Sequence, residues 1–178
     1  LTGATVAIGG NTSYYAGFRF TNVSIPTGAT INDAYVTVFN PSASWIGISY
    51  DIYTEATGNS NTFSTSSMPG SRTATTVKTT HSSNVNWPAN SWQQLPTVKN
   101  TVQEVINRGD WNSGNALSVI LHGTGSQQFA RKFVRSYDND HTKSAQLTVN
   151  YTATASATPT PTLTPTPTLI PTNTPTPT

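Results

Sequence analysis

Short alternating runs of apolar and polar residues dominate the chain from Leu1 to Tyr151. Phe18 and Phe20 flank Arg19. Tyr35-Val36-Thr37-Val38-Phe39 follows, then Ile46 to Tyr53, in which Ile46, Ile48, Tyr50 and Ile52 share one parity. In an extended strand, residues two apart lie on the same face, so this pattern predicts half-buried β-strands. Leu117 to Leu121 is a short apolar run of the kind that forms a central strand. Phe129, Phe133, Arg135 and Tyr137 fall on one parity of the next segment, and Leu147, Val149 and Tyr151 alternate in the last. Turn-forming clusters punctuate these runs: Pro26-Thr27-Gly28, Asn40-Pro41, Pro69-Gly70, Gly123-Thr124-Gly125 and Asp138-Asn139-Asp140. One segment has a helical period instead. Val98, Val102, Val105 and Ile106 recur at i, i+4, i+7 and i+8, with Thr97 as the expected N-cap and Gly109 as the expected left-handed stop. The pattern predicts an all-β fold, an antiparallel β-sandwich or jelly roll, with one short helix capping an open end or edge.

The pattern stops after Tyr151. Residues 152–157 form a Thr/Ala/Ser bridge, and from Thr158 to Thr178 threonine alternates with proline, interrupted by Leu163, Leu169, Ile170 and Asn173. Proline at this density removes backbone donors and favours the extended polyproline II helix. The chain therefore divides into a β-sandwich domain, 1–151, and an extended polyproline-like tail or linker, 152–178. Threonine beside proline suits O-glycosylation. The candidates are Thr158, Thr160, Thr162, Thr164, Thr166, Thr168, Thr172, Thr174 and Thr176. Leu163, Leu169 and Ile170 are apolar interruptions that a pure spacer does not need, which makes them candidates for assembly contacts. A passive linker and a binding tail both remain open.

Composition narrows the function classes. Only 9% of the 178 residues are charged, where about a quarter is usual. A surface solvated by neutral hydroxyls and amides fits a secreted or cell-surface protein. Nine basic against seven acidic residues make no basic stripe, which argues against nucleic acid. The absence of cysteine excludes a disulfide framework, a thiolate metal site and a cysteine nucleophile. No stretch approaches the ~18 apolar residues of a membrane helix, so no membrane insertion is expected. The chain opens at Leu1 without a signal-peptide pattern, as expected of a processed product or a fragment.

The order of several short motifs carries a resemblance. Gly17-Phe18-Arg19-Phe20 precedes Ile25-Pro26-Thr27-Gly28-Ala29-Thr30-Ile31 and Ala34-Tyr35-Val36. Thr101-Val102-Gln103-Glu104-Val105-Ile106-Asn107-Arg108-Gly109-Asp110-Trp111 and Gly114-Asn115-Ala116-Leu117 come later. Ser136-Tyr137-Asp138 and Ala145 to Tyr151 close the body. Over most of residues 1–151 this resembles a DNRLRE-type domain, although the namesake string is absent. The resemblance implies an extracellular accessory β-sandwich module. Some members of that family are carbohydrate-binding modules, and others belong to adhesins and wall proteins.

Catalytic chemistry is thin. There is no Gly-x-Ser-x-Gly elbow, and His81, His122 and His141 lack metal-ligand spacing. Glu55 and Glu104 are the only glutamates, and no carboxylate pair is singled out for glycoside hydrolysis. No enzyme activity and no obligate cofactor are expected. Asp138 and Asp140 sit in an oxygen-rich turn that reads either as a weak calcium site or as a self-sufficient Asx turn. Arg108-Gly109-Asp110 spells an adhesion tripeptide but lies where the helix should end. Among four tryptophans, Trp45 and Trp87 lie in loop contexts and are candidates for an exposed carbohydrate-stacking platform, whereas Trp92 and Trp111 are expected in the core.

Two functions follow as expectations. The first is a non-catalytic structural or adhesive subunit of a cell-surface fibre, stalk or sheath, self-associating through strand edges. Leu1 to Ile8 is its candidate donor strand. The alternative is a polysaccharide-binding module tethered by the Thr-Pro linker to a secreted polysaccharide-degrading enzyme.

Overall fold

The computed structural model describes residues 3–153. The Thr-Pro candidates Thr158, Thr160, Thr162, Thr164, Thr166, Thr168, Thr172, Thr174 and Thr176, with Leu163, Leu169 and Ile170, lie outside the described residues. Within the described part, nine strands and one α-helix follow in order: β1 (Thr5–Gly9), β2 (Tyr15–Phe20), β3 (Thr30–Asn40), β4 (Ile48–Thr54), β5 (Thr79–Ser83), β6 (Ser91–Gln94), α1 (Lys99–Ile106), β7 (Leu117–Gly123), β8 (Arg131–Arg135) and β9 (Gln146–Thr152). Short 3-10 turns lie at Pro69–Ser71 and His141–Lys143. The all-β architecture expected from the alternating pattern is observed.

All strand pairs are antiparallel. One sheet runs β2-β7-β4-β5, a second runs β6-β3-β9, and β1-β8 forms a two-stranded ribbon. β1 contacts β2, β4 and β7, while β8 contacts β3. The ribbon thus joins the three-stranded sheet in covering the four-stranded one. Between the layers lie Ile8, Phe18, Val36, Val38, Tyr50, Ile52, Val119 and Leu121, all from alternating positions. β7 is buried on both faces, as its largely apolar run predicts. Its outer side is covered by the chain at 55–60, where Ser60 and Ser118 hydroxyls meet at 2.6 Å.

The helix spans both layers, touching β3 and β4, and buries Thr101, Val102, Val105 and Ile106. Its start is tied differently from the expected cap. The Thr97 hydroxyl accepts from Lys99 N (3.2 Å) and donates to the Ala34 carbonyl (3.1 Å), which anchors the helix entrance to β3. At the far end Asn107 remains right-handed and Gly109 does not adopt a left-handed conformation. The chain turns there because Trp111 is drawn inward, its indole N–H donating to the Ile25 carbonyl at 3.0 Å.

Several expectations are corrected. β1 is not a spare donor strand. It pairs along its whole length with β8 of the same chain, and Ile8 is in the core. β4 begins at Ile48, leaving Ile46 exposed. Trp92 lies on the outside of β6, 41% exposed, edge-on to Phe39 at 5.3 Å. The core side of that short strand is taken by Ser91 and Gln93 and is closed by Leu95 just beyond it. Trp111, by contrast, is in the core as expected.

Candidate interaction surface

The parity seen in the Phe129–Tyr137 segment exists, and it faces outward. Lys132 and Val134 point into the molecule, so Phe129, Arg131, Phe133, Arg135 and Tyr137 share the opposite side. Phe129 is 73% exposed and Phe133 48%. The Arg131 guanidinium lies 4.3 Å from the Tyr14 ring centre, 5.5 Å from Phe129 and 5.8 Å from Phe133. A cation held against several ring faces is attracted by their quadrupoles, which orders the rings without covering them. At the other end Arg135 donates to Asn139 (2.7 Å), and Tyr137 stacks on His141 at 4.0 Å. The neighbouring strand keeps this face open. Gly9 and Ala7 are the cross-strand partners of Arg131 and Phe133, so little side chain stands beside the aromatic row.

Inverting a lysine into the interior is the counterpart of that outward face. Lys132 is fully buried, with its ammonium donating to the carbonyls of Val85 (3.0 Å) and Ser44 (3.2 Å). It also lies 4.9 Å over the Trp87 ring. Burial lowers its affinity for the proton relative to an ordinary lysine. The same arrangement settles the position of the loop tryptophans. Trp87 bridges Ser44 through two backbone hydrogen bonds of 2.9 Å, which turns its ring inward beneath Lys132. Only 8% of Trp87 is exposed, whereas Trp45 is 72% exposed. The two therefore do not form a joint platform, and Trp45 stands alone as an accessible stacking face.

A second surface feature runs along the side of the sandwich. β2 is an end strand of the four-stranded sheet, β9 ends the three-stranded sheet, and both strands of the β1-β8 ribbon are edges. Between β2, the start of β1 and the 135–145 segment lies a cavity of about 1110 Å³ walled by Tyr15, Phe20, Phe63, Met68, Arg135 and Tyr137. A smaller hollow of about 330 Å³ shares Phe20 and Thr21 with it and continues along Leu147, Val149 and Tyr151 of β9. The rim of the larger cavity is built by the 61–72 loop. Arg72 holds that loop, donating to the carbonyls of Asn61 (3.1 Å), Thr62 (3.0 Å) and Ser67 (3.2 Å) while pairing with Glu55 at 2.9 Å. Phe63 lies so close over Gly17 that a Cβ there would meet the ring at 2.6 Å.

Most of the remaining singled-out polar residues have intramolecular partners. Both glutamates are engaged: Glu55 with Arg72 and Ser60, and Glu104 with the backbone N–H groups of Thr76 (2.7 Å) and Val77 (3.1 Å). Asp140 accepts from Thr142 N (3.0 Å) and its hydroxyl (2.7 Å), which holds its carboxyl below the usual range. Asp138 is exposed in the same turn. Among the described residues, no three His, Asp or Glu side chains gather as a metal site would require. Arg108 and Asp110 of the tripeptide bind each other at 2.8 and 3.0 Å, and Asp110 also accepts from Gly58 N. His122 stacks on Tyr15 at 4.3 Å with its Nε2 2.9 Å from the Thr12 carbonyl. No described helix is long and apolar enough to cross a membrane.

Fold and surface together define a β-sandwich with an outward aromatic–arginine row and an open lateral groove. Compared with known proteins, the chain matches no family model and no curated protein.

Proposed function

We propose that this chain is a non-catalytic extracellular structural or adhesive module that self-associates, as the subunit of a cell-surface fibre, stalk or sheath. The observation that carries this reading is the outward row of Phe129, Arg131, Phe133 and Tyr137. Aromatic residues and arginine are the side chains enriched at the centres of protein interfaces, and contiguous exposed aromatic surface marks an interaction face. The engagement of both glutamates in structural hydrogen bonds favours a role without acid–base chemistry. The low charge and the resemblance to DNRLRE-type modules favour an extracellular setting, with glycans on the tail threonines.

Sedimentation velocity and electron microscopy of the full chain test this. The wild type should form concentration-dependent oligomers or filaments, and the Phe129→Ser/Phe133→Ser double variant should remain monomeric with an unchanged melting temperature. A monomeric wild type at all accessible concentrations would overturn the reading. A second reading, polysaccharide binding, is favoured by the isolated exposure of Trp45. Retardation of the chain in polysaccharide-containing gels, lost on Trp45→Ala, is its expected signature.

A further inference from the structure

We propose that the lateral groove is the docking site for the chain's own Thr-Pro tail, with residues 158–170 folding back between the open edges of β2 and β9. This goes beyond self-association and does not depend on it.

Three observations converge. The first is continuity. The chain leaves β9 at Thr152, and Tyr151, one residue earlier, already lines the smaller hollow, its hydroxyl donating to the Ser24 carbonyl at 3.0 Å. The smaller hollow therefore begins at the root of the tail and adjoins the larger cavity at Phe20 and Thr21. The second is chemistry. Proline-rich segments dock in aromatic-lined grooves because the proline rings pack flat on aromatic faces and the preformed helix has little entropy to lose. Tyr15, Phe20, Phe63 and Tyr137 supply such faces. A Thr-Pro segment is rich in carbonyl acceptors and poor in donors. Arg135 lines the same cavity and brings a guanidinium donor group to its wall.

The third observation is spacing. Residues 158–163 and 164–169 are two copies of Thr-Pro-Thr-Pro-Thr-Leu. At three residues per turn, Leu163 and Leu169 fall on the same side of a polyproline helix, ~19 Å apart. Residues 154–157, Thr-Ala-Ser-Ala, contain no proline and provide the reversal. From that reversal Leu163 lies ~17 Å back, about the length of β9, which brings it to the waist at Phe20 and Thr21. Leu169 then falls within the larger cavity.

The absence of cysteine from the chain makes a direct test available. Thr168→Cys is combined in the full chain with Thr62→Cys on the groove rim, or with Thr80→Cys on β5 at the opposite edge of the same sheet. Disulfide formation in dilute solution is followed on non-reducing gels. Docking predicts that the Thr62 pair closes within one chain at least about tenfold faster than the Thr80 pair. Adding Leu163→Asn and Leu169→Asn should abolish that preference. Equal rates, or a preference indifferent to the leucines, would overturn the proposal. A predominantly interchain product would also overturn it, by assigning the groove to a neighbour's tail. Because self-association is read separately from the Phe129→Ser/Phe133→Ser variant, either idea can fail while the other stands.

Discussion

Arg72 and Lys132 show how single cations organise this weakly charged protein. The Arg72–Glu55 pair is almost fully withdrawn from water, with side-chain exposures of 6% and 11%. A buried charge left without its partner is costly, so Arg72→Ala should destabilise the fold by about 3–5 kcal/mol in urea denaturation. Arg72→Lys should recover only part of this loss, because an ammonium cannot reach the carboxylate and three loop carbonyls with the same planar fork. Lys132 is harder to foresee from sequence. Alternation put either parity of its strand inside. The arginines at 131 and 135 share the parity of the phenylalanines, and that is the signal marking the aromatic side as the outer one. The interior accepts Lys132 because two carbonyls and the Trp87 ring receive its charge, an arrangement that only the approach of the Ser44 and Val85 segments creates.

At the scale of elements, the helix is legible from its period, but its means of attachment is not. Gln103 acts as a substitute strand for the start of β3. Its Oε1 accepts from Ile31 N at 2.7 Å, and its Nε2 donates to the Ala29 carbonyl at 2.9 Å. These contacts lie just before the irregularity between Ile31 and Asp33, where the β3–β9 register shifts. Gln103→Ala leaves both backbone groups unpaired and should cost about 1–3 kcal/mol of stability. Gln103→Glu should be no better at neutral pH, because a carboxylate places an acceptor against the Ala29 carbonyl, but it should regain stability as the pH falls and the carboxyl protonates. β5 and β6 carry no apolar alternation. Their residues are mostly Thr, Ser, Gln and His, and they become strands by pairing with the strongly patterned β4 and β3.

For the whole molecule, titration sets the pH range of stability. Burial, with smaller contributions from Tyr15 and Asp51, pushes the Tyr53 phenol up to about 12, and burial raises Tyr50 as well. Below pH 10 both phenols are protonated in the folded and unfolded chain alike. Above it the unfolded chain ionises first, so the stabilising contribution is lost as pH rises. Thermal midpoints should fall from about pH 10 upward, and Tyr53→Phe should make that decline shallower. On the acid side, burial pushes His81 down, so the unfolded chain takes up a proton that the folded one resists. Midpoints should therefore also fall as the pH drops through about 6.5, and His81→Gln should remove that step.

The sequence by itself determined the all-β architecture, its central strand and its helix, because periodicity is a local property of the chain. It also singled out the aromatic parity of β8. Only the tertiary structure decided which way that parity faces, that Trp87 turns inward while Trp92 stays outside, and that the β2 and β9 edges enclose a groove beginning at the tail. Those outcomes depend on contacts between segments distant along the chain, which alternation within one strand cannot encode.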